Sequence, residues 1–429
     1  MKKLLSASLS ALALCALAAC ARTPPAPAGA SPAPAANALT REDRAEIFGQ
    51  VWKTINEEYY DPNFRGADWR AVGERYRPLA ESARTDAEFY GVFELMLSEL
   101  RDAHTVFIPP GAARGEGGRG SVGVKLGDAE GRVAVVEVEP GSKAAGLGVR
   151  PGQTLREVNG RPVEEHIAFL RSKLAGSSTE RLFRVKMLSA LLYGGFLARP
   201  RTLGLTDFDG REFTVELHEE AGRPEAPNLT SRRLDSGAGY IRFRSWTPPV
   251  QDEFRRALAE LKGARGLVID LRGNGGGEGR VVQEIIGNFF TSETYSGGMR
   301  TRDGTVQKSY ARPAADPYRG RVVILVDEES ASASETFTAF MQEVGRARVV
   351  GRETAGSTLN RTGHREFKGG GRLLFSTRTY LTPRGRELEG VGVKPDVTVP
   401  LTLADLRSGR DAVLEAAEAL LAGRPDASR

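Results

Sequence analysis

The sequence contains very little cysteine. Cys15 and Cys20 are the two thiols among 429 residues, and both lie near the N-terminus. The rest of the chain therefore has no thiol for a disulfide, a thiolate metal site or a cysteine nucleophile. Histidine is scarce too, with four residues, and no histidine or carboxylate cluster has the spacing of metal ligands. We therefore expect neither a metal nor another cofactor.

A strong charge of one sign and long apolar runs are also lacking. The formal net charge is +5 at pH 7, and the arginines are scattered along the chain. This pattern is weak for a nucleic-acid-binding protein, so we expect no nucleic-acid partner. The apolar run from Leu4 to Ala18 follows Lys2 and Lys3 and is too short for a permanent membrane-spanning helix. It is typical of an export signal.

The end of this run resembles the lipobox of bacterial lipoproteins, because small residues precede a cysteine in LAAC at residues 17–20. The resemblance implies that residues 1–19 are a lipoprotein signal peptide and that Cys20 carries the lipid. Ala21 then implies a cell-envelope protein that is lipid-anchored in the outer membrane and faces the periplasm. The alternative is an ordinary signal peptide with an incidental Cys20. Residues 20–38 are rich in proline and alanine, which predicts an extended tether.

Helical periodicity predicts a helical N-terminal domain over residues 39–112. Ile47, Val51 and Ile55 recur at i, i+4 and i+8, and a second apolar stripe begins at Phe89. The glycine-rich stretch GAARGEGGRG then marks a boundary.

The sequence pattern of residues 118–222 predicts a small β-rich domain. Short β-branched or alternating runs, such as RVAVVEV, are separated by glycine and proline. Residues 177–200 depart from this texture. Helical spacing there predicts a helical insertion of unknown role, with a stripe of Leu182, Val185, Leu188 and Leu192.

Strands and helices alternate over residues 228–424. GLVID and RVVILV are apolar runs typical of parallel strands that are buried on both faces. The alternation predicts an α/β core with its catalytic loops at the ends of strands.

Three segments contain residues that could form a catalytic site. SASASET follows a predicted strand and leads into a helix, where amides and the helix dipole favour an oxyanion. Ser330, Ser332 and Ser334 compete as nucleophiles, although serine is also a preferred helix cap. GNGGG follows another strand and fits neither a dinucleotide-binding fingerprint nor a P-loop, so its glycines would let an amide approach a substrate carbonyl. His104 in LRDAHT is either structural or catalytic.

These motifs together resemble the C-terminal-processing (tail-specific) peptidases and their tricorn-core branch. SASASET, DLRGNGGG and LEGVGVKPD occur in the family's order, after helices ending in LRDAHT and a PDZ-like segment. The resemblance implies a multidomain α/β protein with an N-terminal helical segment, a PDZ-like β-rich domain and a crotonase-like spiral peptidase core. It implies Ser332 as the nucleophile and the amides of Ala333 and of Gly276 or Gly277 as oxyanion donors. The implied carboxylate-binding loop of the PDZ-like domain is Ser121, Val122, Gly123 and Val124.

The sequence departs from the family at the general base. Bacterial processing enzymes have a lysine 25 residues after the nucleophile and a glutamine four residues further, whereas this chain has Ser357 and Arg361. The tricorn-core branch uses a histidine supported by a serine and a glutamate. His104 matches that histidine, although Ala103 precedes it where the branch has serine. Glu389 is the candidate supporting acid, and His364 is the alternative base.

The sequence therefore predicts a serine-type endopeptidase that acts through an acyl-enzyme, with histidine rather than lysine as its base. Its partners would be cell-envelope polypeptides with free or extended C-termini. The first alternative is a catalytically inactive, PDZ-containing lipoprotein that binds peptides. The second is a structural outer-membrane tether that binds no peptide.

Overall fold

The computed structural model describes residues 39–111, 121–173, 177–193, 200–220 and 227–423. The predicted signal peptide, the lipidated Cys20 and the tether lie outside the described residues. Within these ranges, no helix combines the length and the apolar character needed to cross a bilayer.

The N-terminal part consists of three α-helices, one short 3-10 helix (Phe64–Gly66) and one strand. The α-helices and the strand are α1 (Arg41–Glu58), α2 (Trp69–Ser82), α3 (Asp86–Ser98) and β1 (Val106–Ile108). α1 begins at a capping box, in which the side chains of Thr40 and Asp43 each accept a hydrogen bond from the other's amide. The two predicted apolar stripes are confirmed, because the residues that form them are all buried.

The middle unit, residues 121–220, is an antiparallel sheet with helices packed on it. Its strands run in the order β2-β3-β4-β6-β7, and β5 pairs with β4. The elements are β2 (Val124–Ala129), β3 (Arg132–Val138), α4 (Lys143–Gly146), β4 (Thr154–Val158), β5 (Arg161–Pro162), α5 (Val163–Lys173), α6 (Glu180–Tyr193), β6 (Arg201–Thr206) and β7 (Glu212–Leu217).

Helix α6 corrects the predicted helical insertion. It is helical as predicted, and Leu188 and Leu192 of the predicted stripe are buried. Phe183 and Met187 complete the buried face, whereas Leu182 and Val185 are only partly buried. The buried face packs into the same apolar core as the sheet. α6 is therefore an integral part of the middle unit and not an insertion attached to it.

The C-terminal part is built on a six-stranded sheet in the order β18-β14-β13-β10-β9-β8, parallel except for the edge strand β8. Two three-stranded sheets accompany it, β12-β11-β17 and β1-β16-β15. The elements are β8 (Leu229–Arg233), β9 (Gly239–Phe243), α7 (Val250–Glu260), β10 (Leu267–Asp270), α8 (Gly279–Ile286), β11 (Thr294–Thr301), β12 (Val306–Ala311), β13 (Val322–Val326), α9 (Ala333–Glu343), β14 (Arg348–Gly351), β15 (Gly363–Glu366), β16 (Arg372–Phe375), β17 (Arg378–Leu381), β18 (Val397–Thr398), α10 (Leu403–Ser408) and α11 (Ala412–Leu421).

The two apolar runs form the central strands of this sheet. Every residue of β10 and β13 is buried, because helices α7, α8 and α9 cover one face and α11 covers the other. β10 and β13 are parallel neighbours, so their carboxyl ends lie at one edge of the sheet. The glycine loop and the serine turn follow these two ends.

Strand β1 ties the N-terminal part to the C-terminal part. The expectation of an entirely helical segment up to residue 112 is wrong here, since the β-branched and aromatic run Val106–Ile108 pairs antiparallel with β16. The N-terminal helices also share their apolar core with Leu359, Leu373 and Phe375. This pairing carries His104, two residues before β1, to the segment that follows β14.

Candidate active site

The three candidate serines lie between β13 and the first turn of α9, and they differ in burial and in hydrogen bonding. Ser330 and Ser334 are fully buried. The hydroxyl of Ser330 donates to the carbonyl of Leu271 at 2.8 Å, and that of Ser334 donates to the carbonyl of Asn274 at 2.9 Å. Ser332 is partly exposed. The structure therefore assigns Ser330 and Ser334 to the scaffold and leaves Ser332 facing the surface.

Ser332 has an unusual backbone conformation at the start of α9. Its φ of 54° and ψ of −113° lie in a region that non-glycine residues rarely occupy. Its amide donates to the carbonyl of Ser357 at 2.9 Å and to the carboxylate of Glu335 at 3.0 Å. Strain of this kind persists where the surroundings fix the conformation, and it is concentrated at functional sites.

Glu335 links the serine turn to the loop after β14. Its fully buried carboxylate also accepts hydrogen bonds from the hydroxyl of Thr354 at 2.5 Å and from the amides of Gly356 and Ser357 at 2.7 and 2.9 Å. Burial raises the pKa of Glu335, and these hydrogen bonds act in the opposite direction. One carboxylate thus sets the distance between the two loops.

The glycine loop after β10 approaches Ser332 closely. A side chain at Gly276 would place its Cβ 2.7 Å from the Cβ of Ser332, and Gly276 has a φ of 106°, so only glycine fits here. The amide of Gly276 donates to the side chain of Asn274 at 3.0 Å. Among the described residues, the amides of Gly277 and Ala333 have no acceptor. Of the predicted oxyanion donors, Ala333 and Gly277 are therefore open and Gly276 is engaged.

The structure brings His104 to the loop after β14, which carries Ser357. Nδ1 of His104 lies 3.5 Å from the hydroxyl of Ser357 and 3.8 Å from the carboxylate of Asp102. Burial lowers the pKa of His104, as do the positive charges of Arg361 and Lys186, while Asp102 raises it. The imidazole is therefore biased toward its neutral, basic form at pH 7.

Asp102 and Ser357 are neighbours of His104 that the sequence analysis missed. Asp102 accepts hydrogen bonds from the amide of His104 at 2.7 Å and from the hydroxyls of Thr105 and Ser376 at 2.5 and 2.8 Å. The aspartate two residues before the histidine was one available signal. The other was Ser357 itself, which occupies the position of the family's lysine.

Glu389 has a different set of partners from the one predicted. It forms an ion pair with Arg65 at 2.7 Å and accepts from the amides of Thr358 and Leu359 at 2.6 and 3.2 Å. Burial, together with the charge of Asp102 and against that of Arg65, raises its pKa to about 7. Glu389 thus holds the segment that follows Ser357, and none of its hydrogen bonds to described residues reaches His104.

The other histidines lie elsewhere. His364 is on the edge strand β15, with its ring 3.8 Å from Glu366. His166 contacts the carbonyl of Val158, and His218 contacts Glu216. No group of three or more possible metal ligands is found among the residues that the structure describes.

The predicted carboxylate-binding loop is closed by internal hydrogen bonds. The amide of Val122 donates to the hydroxyl of Tyr193 at 3.4 Å, and that of Gly123 donates to the hydroxyl of Ser121 at 2.9 Å. The Ser121 hydroxyl donates in turn to Glu139 at 2.5 Å. A cavity of about 230 Å³ lies beside this loop and is lined in part by Val122 and Leu192. A peptide carboxylate would have to replace these internal partners.

Comparisons with known proteins match both parts of the chain that build the site. The family model of peptidase family S41 matches residues 237–399, and that of the tricorn protease C1 domain matches residues 40–98. The putative tricorn protease homolog 2 of Streptomyces coelicolor is 29% identical over 389 residues, which cover 87% of this chain and 32% of that protein. The carboxyl-terminal-processing protease of Synechocystis sp. is 26% identical over 404 residues, which cover 91% of this chain and 89% of that protein.

Solved structures show the same fold. The photosystem II D1 C-terminal processing protease superposes with a TM-score of 0.58 at 22% identity, and the match covers 86% of this chain and 98% of that one.

The chain spans about a third of the length of its Streptomyces relative and most of the length of its Synechocystis relative. Residues 237–399 thus match peptidase family S41 and follow an N-terminal segment that matches the tricorn protease C1 domain, so the chain is similar to the serine peptidases of that family.

Proposed function

We propose that this protein is an endopeptidase that cleaves extended or C-terminal segments of cell-envelope polypeptides, with Ser332 as nucleophile and His104 as general base. One observation carries the proposal. Ser357 contacts both residues, since its carbonyl accepts from the amide of Ser332 at 2.9 Å and its hydroxyl lies 3.5 Å from Nδ1 of His104. A strained serine at a helix N-terminus and an imidazole whose pKa is lowered thus share one neighbour.

In the proposed reaction, the hydroxyl of Ser332 loses its proton to His104 as its oxygen attacks the scissile carbonyl. The hydroxyl of Ser357 faces Nδ1, which leaves Nε2 of His104 to take the proton. The amides of Ala333 and Gly277 would stabilise the oxyanion, because both are free to donate. His104 then protonates the leaving amine, and water hydrolyses the acyl-enzyme with His104 again accepting a proton.

Ser357 and Glu389 have supporting roles in this proposal. Ser357 stands where the bacterial enzymes have their lysine, and here it orients the imidazole. Glu389 is a positioning residue, since it binds the two amides that follow Ser357. Asp102 fixes the turn that presents His104 and supplies a nearby negative charge for the imidazolium.

The middle unit is the PDZ-like domain in this proposal, and the C-terminal part is the crotonase-like core. A substrate tail would add as a strand beside β2, with its carboxylate at Ser121–Val124 in place of the internal partners of that loop. Helix α6 packs on the same core as β2 and would form the other wall of this groove. Lipidation at Cys20 would hold the protein at the outer membrane.

Labelling with a fluorophosphonate tests the proposal. The wild-type protein should be labelled, Ser332→Ala should not be labelled, and Ser330→Ala should retain labelling if it folds. The replacement of the family's lysine by Ser357 favours a second candidate function, a peptide-binding protein without catalysis. Absence of labelling in folded wild-type protein, together with peptide binding, would support that candidate and contradict the proposed one.

A further inference from the structure

The glycine loop after β10 contacts both the Ser332 turn and Trp246. A Cβ at Gly276 would be 2.7 Å from the Cβ of Ser332, and a Cβ at Gly277 would be 2.7 Å from the carbonyl oxygen of Trp246. Trp246 follows strand β9 and is fully buried. The lack of side chains at both glycines therefore allows the loop to pack closely against two segments at once.

Backbone hydrogen bonds fix the loop against Trp246. The amide of Trp246 donates to the carbonyl of Gly276 at 3.0 Å, and the amide of Glu278 donates to the carbonyl of Trp246 at 2.9 Å. The two segments thus form a short parallel bridge between Trp246 and Gly277. Such a bridge uses the backbone groups on either side of Gly277, so the N–H of Gly277 itself points away from Trp246. The pairing therefore sets the direction of one proposed oxyanion donor.

The indole of Trp246 makes a second connection, to the helix that begins after Ser332. Its N–H donates to the hydroxyl of Ser334 at 2.8 Å, and that hydroxyl donates to the carbonyl of Asn274 at 2.9 Å. These three residues are fully buried, which shields both hydrogen bonds from competing water. Ser334 directly follows Ala333, the other proposed oxyanion donor, so this connection ties the two donors together.

Asn274 extends the connection within the glycine loop. Its side-chain oxygen accepts from the amide of Gly276 at 3.0 Å, and its amino group donates to the carbonyl of the last residue of β9 at 3.0 Å. Its own carbonyl also accepts from the amide of Ala331 at 3.0 Å. The glycine loop, the serine turn and the tryptophan segment are thus joined by one set of hydrogen bonds, and Ser334 links all three.

Aromatic packing fixes the plane of the indole. The ring of Trp246 lies 4.8 Å from that of Phe243 and 5.1 Å from that of Phe337, between ring centroids. Phe337 is also on α9. Trp246→Phe retains an aromatic ring for these contacts but has no N–H to donate, so it separates the hydrogen bond from the packing.

We propose that Trp246 and Ser334 are positioning residues for the oxyanion site. Together they hold the N–H groups of Gly277 and Ala333 at a fixed separation, so that both can donate to the negative oxygen that forms when Ser332 attacks. The inference rests on the proposed function, because it concerns the same reaction. It gives the last serine of the SASAS motif a role other than that of nucleophile.

Steady-state hydrolysis of a fluorogenic peptide tests this role. Ser334→Ala and Trp246→Phe should each lower kcat by about 10–100-fold, which is less than the effect of removing an oxyanion donor outright. KM should change by less than about twofold, because the donors act on the transition state. The acid limb of kcat should not move, since His104 is unchanged. The double variant should lose about as much as Ser334→Ala alone, because both substitutions break the same hydrogen bond.

A peptide boronate gives a second readout that does not require turnover. Ser332 adds to the boron and gives a tetrahedral anion that resembles the intermediate. The affinity for the boronate should fall in Ser334→Ala and in Trp246→Phe by about the same factor as kcat. The affinity of Ser332→Ala for an uncleaved peptide should not change when Trp246→Phe is added.

Two control variants alter the same apolar core at positions outside the loop. Tyr318→Phe removes a buried hydroxyl that has no hydrogen-bond partner in the described part of the chain. Leu258→Ala shortens an apolar side chain of α7. Both controls should keep the wild-type kcat, although Leu258→Ala lowers the stability of the core.

Three results would overturn the role of Trp246 and Ser334 while leaving the proposed function intact. The first is a wild-type kcat in folded Ser334→Ala and Trp246→Phe. The second is a loss in Leu258→Ala as large as theirs, and the third is a rise in KM or a shifted acid limb in place of the lower kcat. A folded wild-type protein that hydrolyses no peptide and is not labelled by fluorophosphonate would instead contradict the proposed function.

Discussion

Glu335→Gln tests whether one buried carboxylate fixes the geometry of the Ser332 turn. Oε2 of Glu335 accepts from the amides of Ser332 and Ser357, and Oε1 accepts from the Thr354 hydroxyl and the Gly356 amide. Glutamine keeps one acceptor oxygen and replaces the other with an amino group that only donates. The better orientation keeps the oxygen at Ser332 and Ser357, because the Thr354 hydroxyl can rotate to accept whereas an amide cannot.

The N–H of Gly356 then loses its acceptor in a fully buried site. A buried donor without a partner costs about 1–3 kcal/mol, so we expect Glu335→Gln to lower the free energy of unfolding by that amount. Glu335→Ala leaves the amides of Gly356 and Ser357 and the hydroxyl of Thr354 without their acceptor and should cost more than about 3 kcal/mol. The peptidase rate should fall in both variants, and further in Glu335→Ala, since the amide of Ser332 loses its carboxylate partner there.

Urea unfolding followed by circular dichroism measures the free energy, and hydrolysis of a fluorogenic peptide measures the rate. Glu284→Gln is the control, because it changes an exposed glutamate on α8 whose ion-pair partner is Arg280. This control should cost less than about 1 kcal/mol. A Glu335→Gln protein with wild-type stability and wild-type rate would refute the role of Glu335.

Lys186→Gln should move the acid limb of kcat/KM to higher pH, because Lys186 lowers the pKa of His104 and the reaction needs a neutral imidazole. An unchanged acid limb would show that the charge of Lys186 does not act on His104. Burial raises the pKa of Glu389 from 4.5 to about 7, so its contribution to stability is complete below pH 4.5 and is lost as the pH rises to about 7. The free energy of unfolding should therefore fall less over this range in Glu389→Gln than in the wild type, and an equal fall would show that Glu389 does not titrate there. Cys20→Ser should give an uncleaved or soluble protein on membrane fractionation, and normal processing with membrane attachment would contradict lipidation.

The central strands and the serine turn could be predicted from the sequence. The runs that became β10 and β13 contain enough adjacent apolar residues to require burial on both faces, and this alone places the segments that follow them at one sheet edge. Local sequence could not choose among Ser330, Ser332 and Ser334. That choice depends on hydrogen bonds to Leu271 and Asn274, which belong to the neighbouring loop.

The surroundings of His104 could not be predicted, because they depend on pairing between distant segments. β1 pairs with β16, which lies far along the chain in the C-terminal part, and only that pairing brings His104 to Ser357. The buried face of α6 was predicted only in part for a related reason, since Leu188 and Leu192 are buried as expected. Leucine spacing alone favoured Leu182 and Val185, whereas the position of the sheet selects Phe183 and Met187. The same packing of α6 places Lys186 where its charge lowers the pKa of His104.

The rate of peptide hydrolysis by His104→Ala tests most directly whether a histidine activates Ser332. The rate should fall by roughly 10²–10⁴, the usual effect of removing a positioned general base. His364→Ala is the matched control and should retain the wild-type rate, and Ser357→Ala should lose far less than His104→Ala. A folded His104→Ala protein that hydrolyses peptides at nearly the wild-type rate would contradict the assignment of the base.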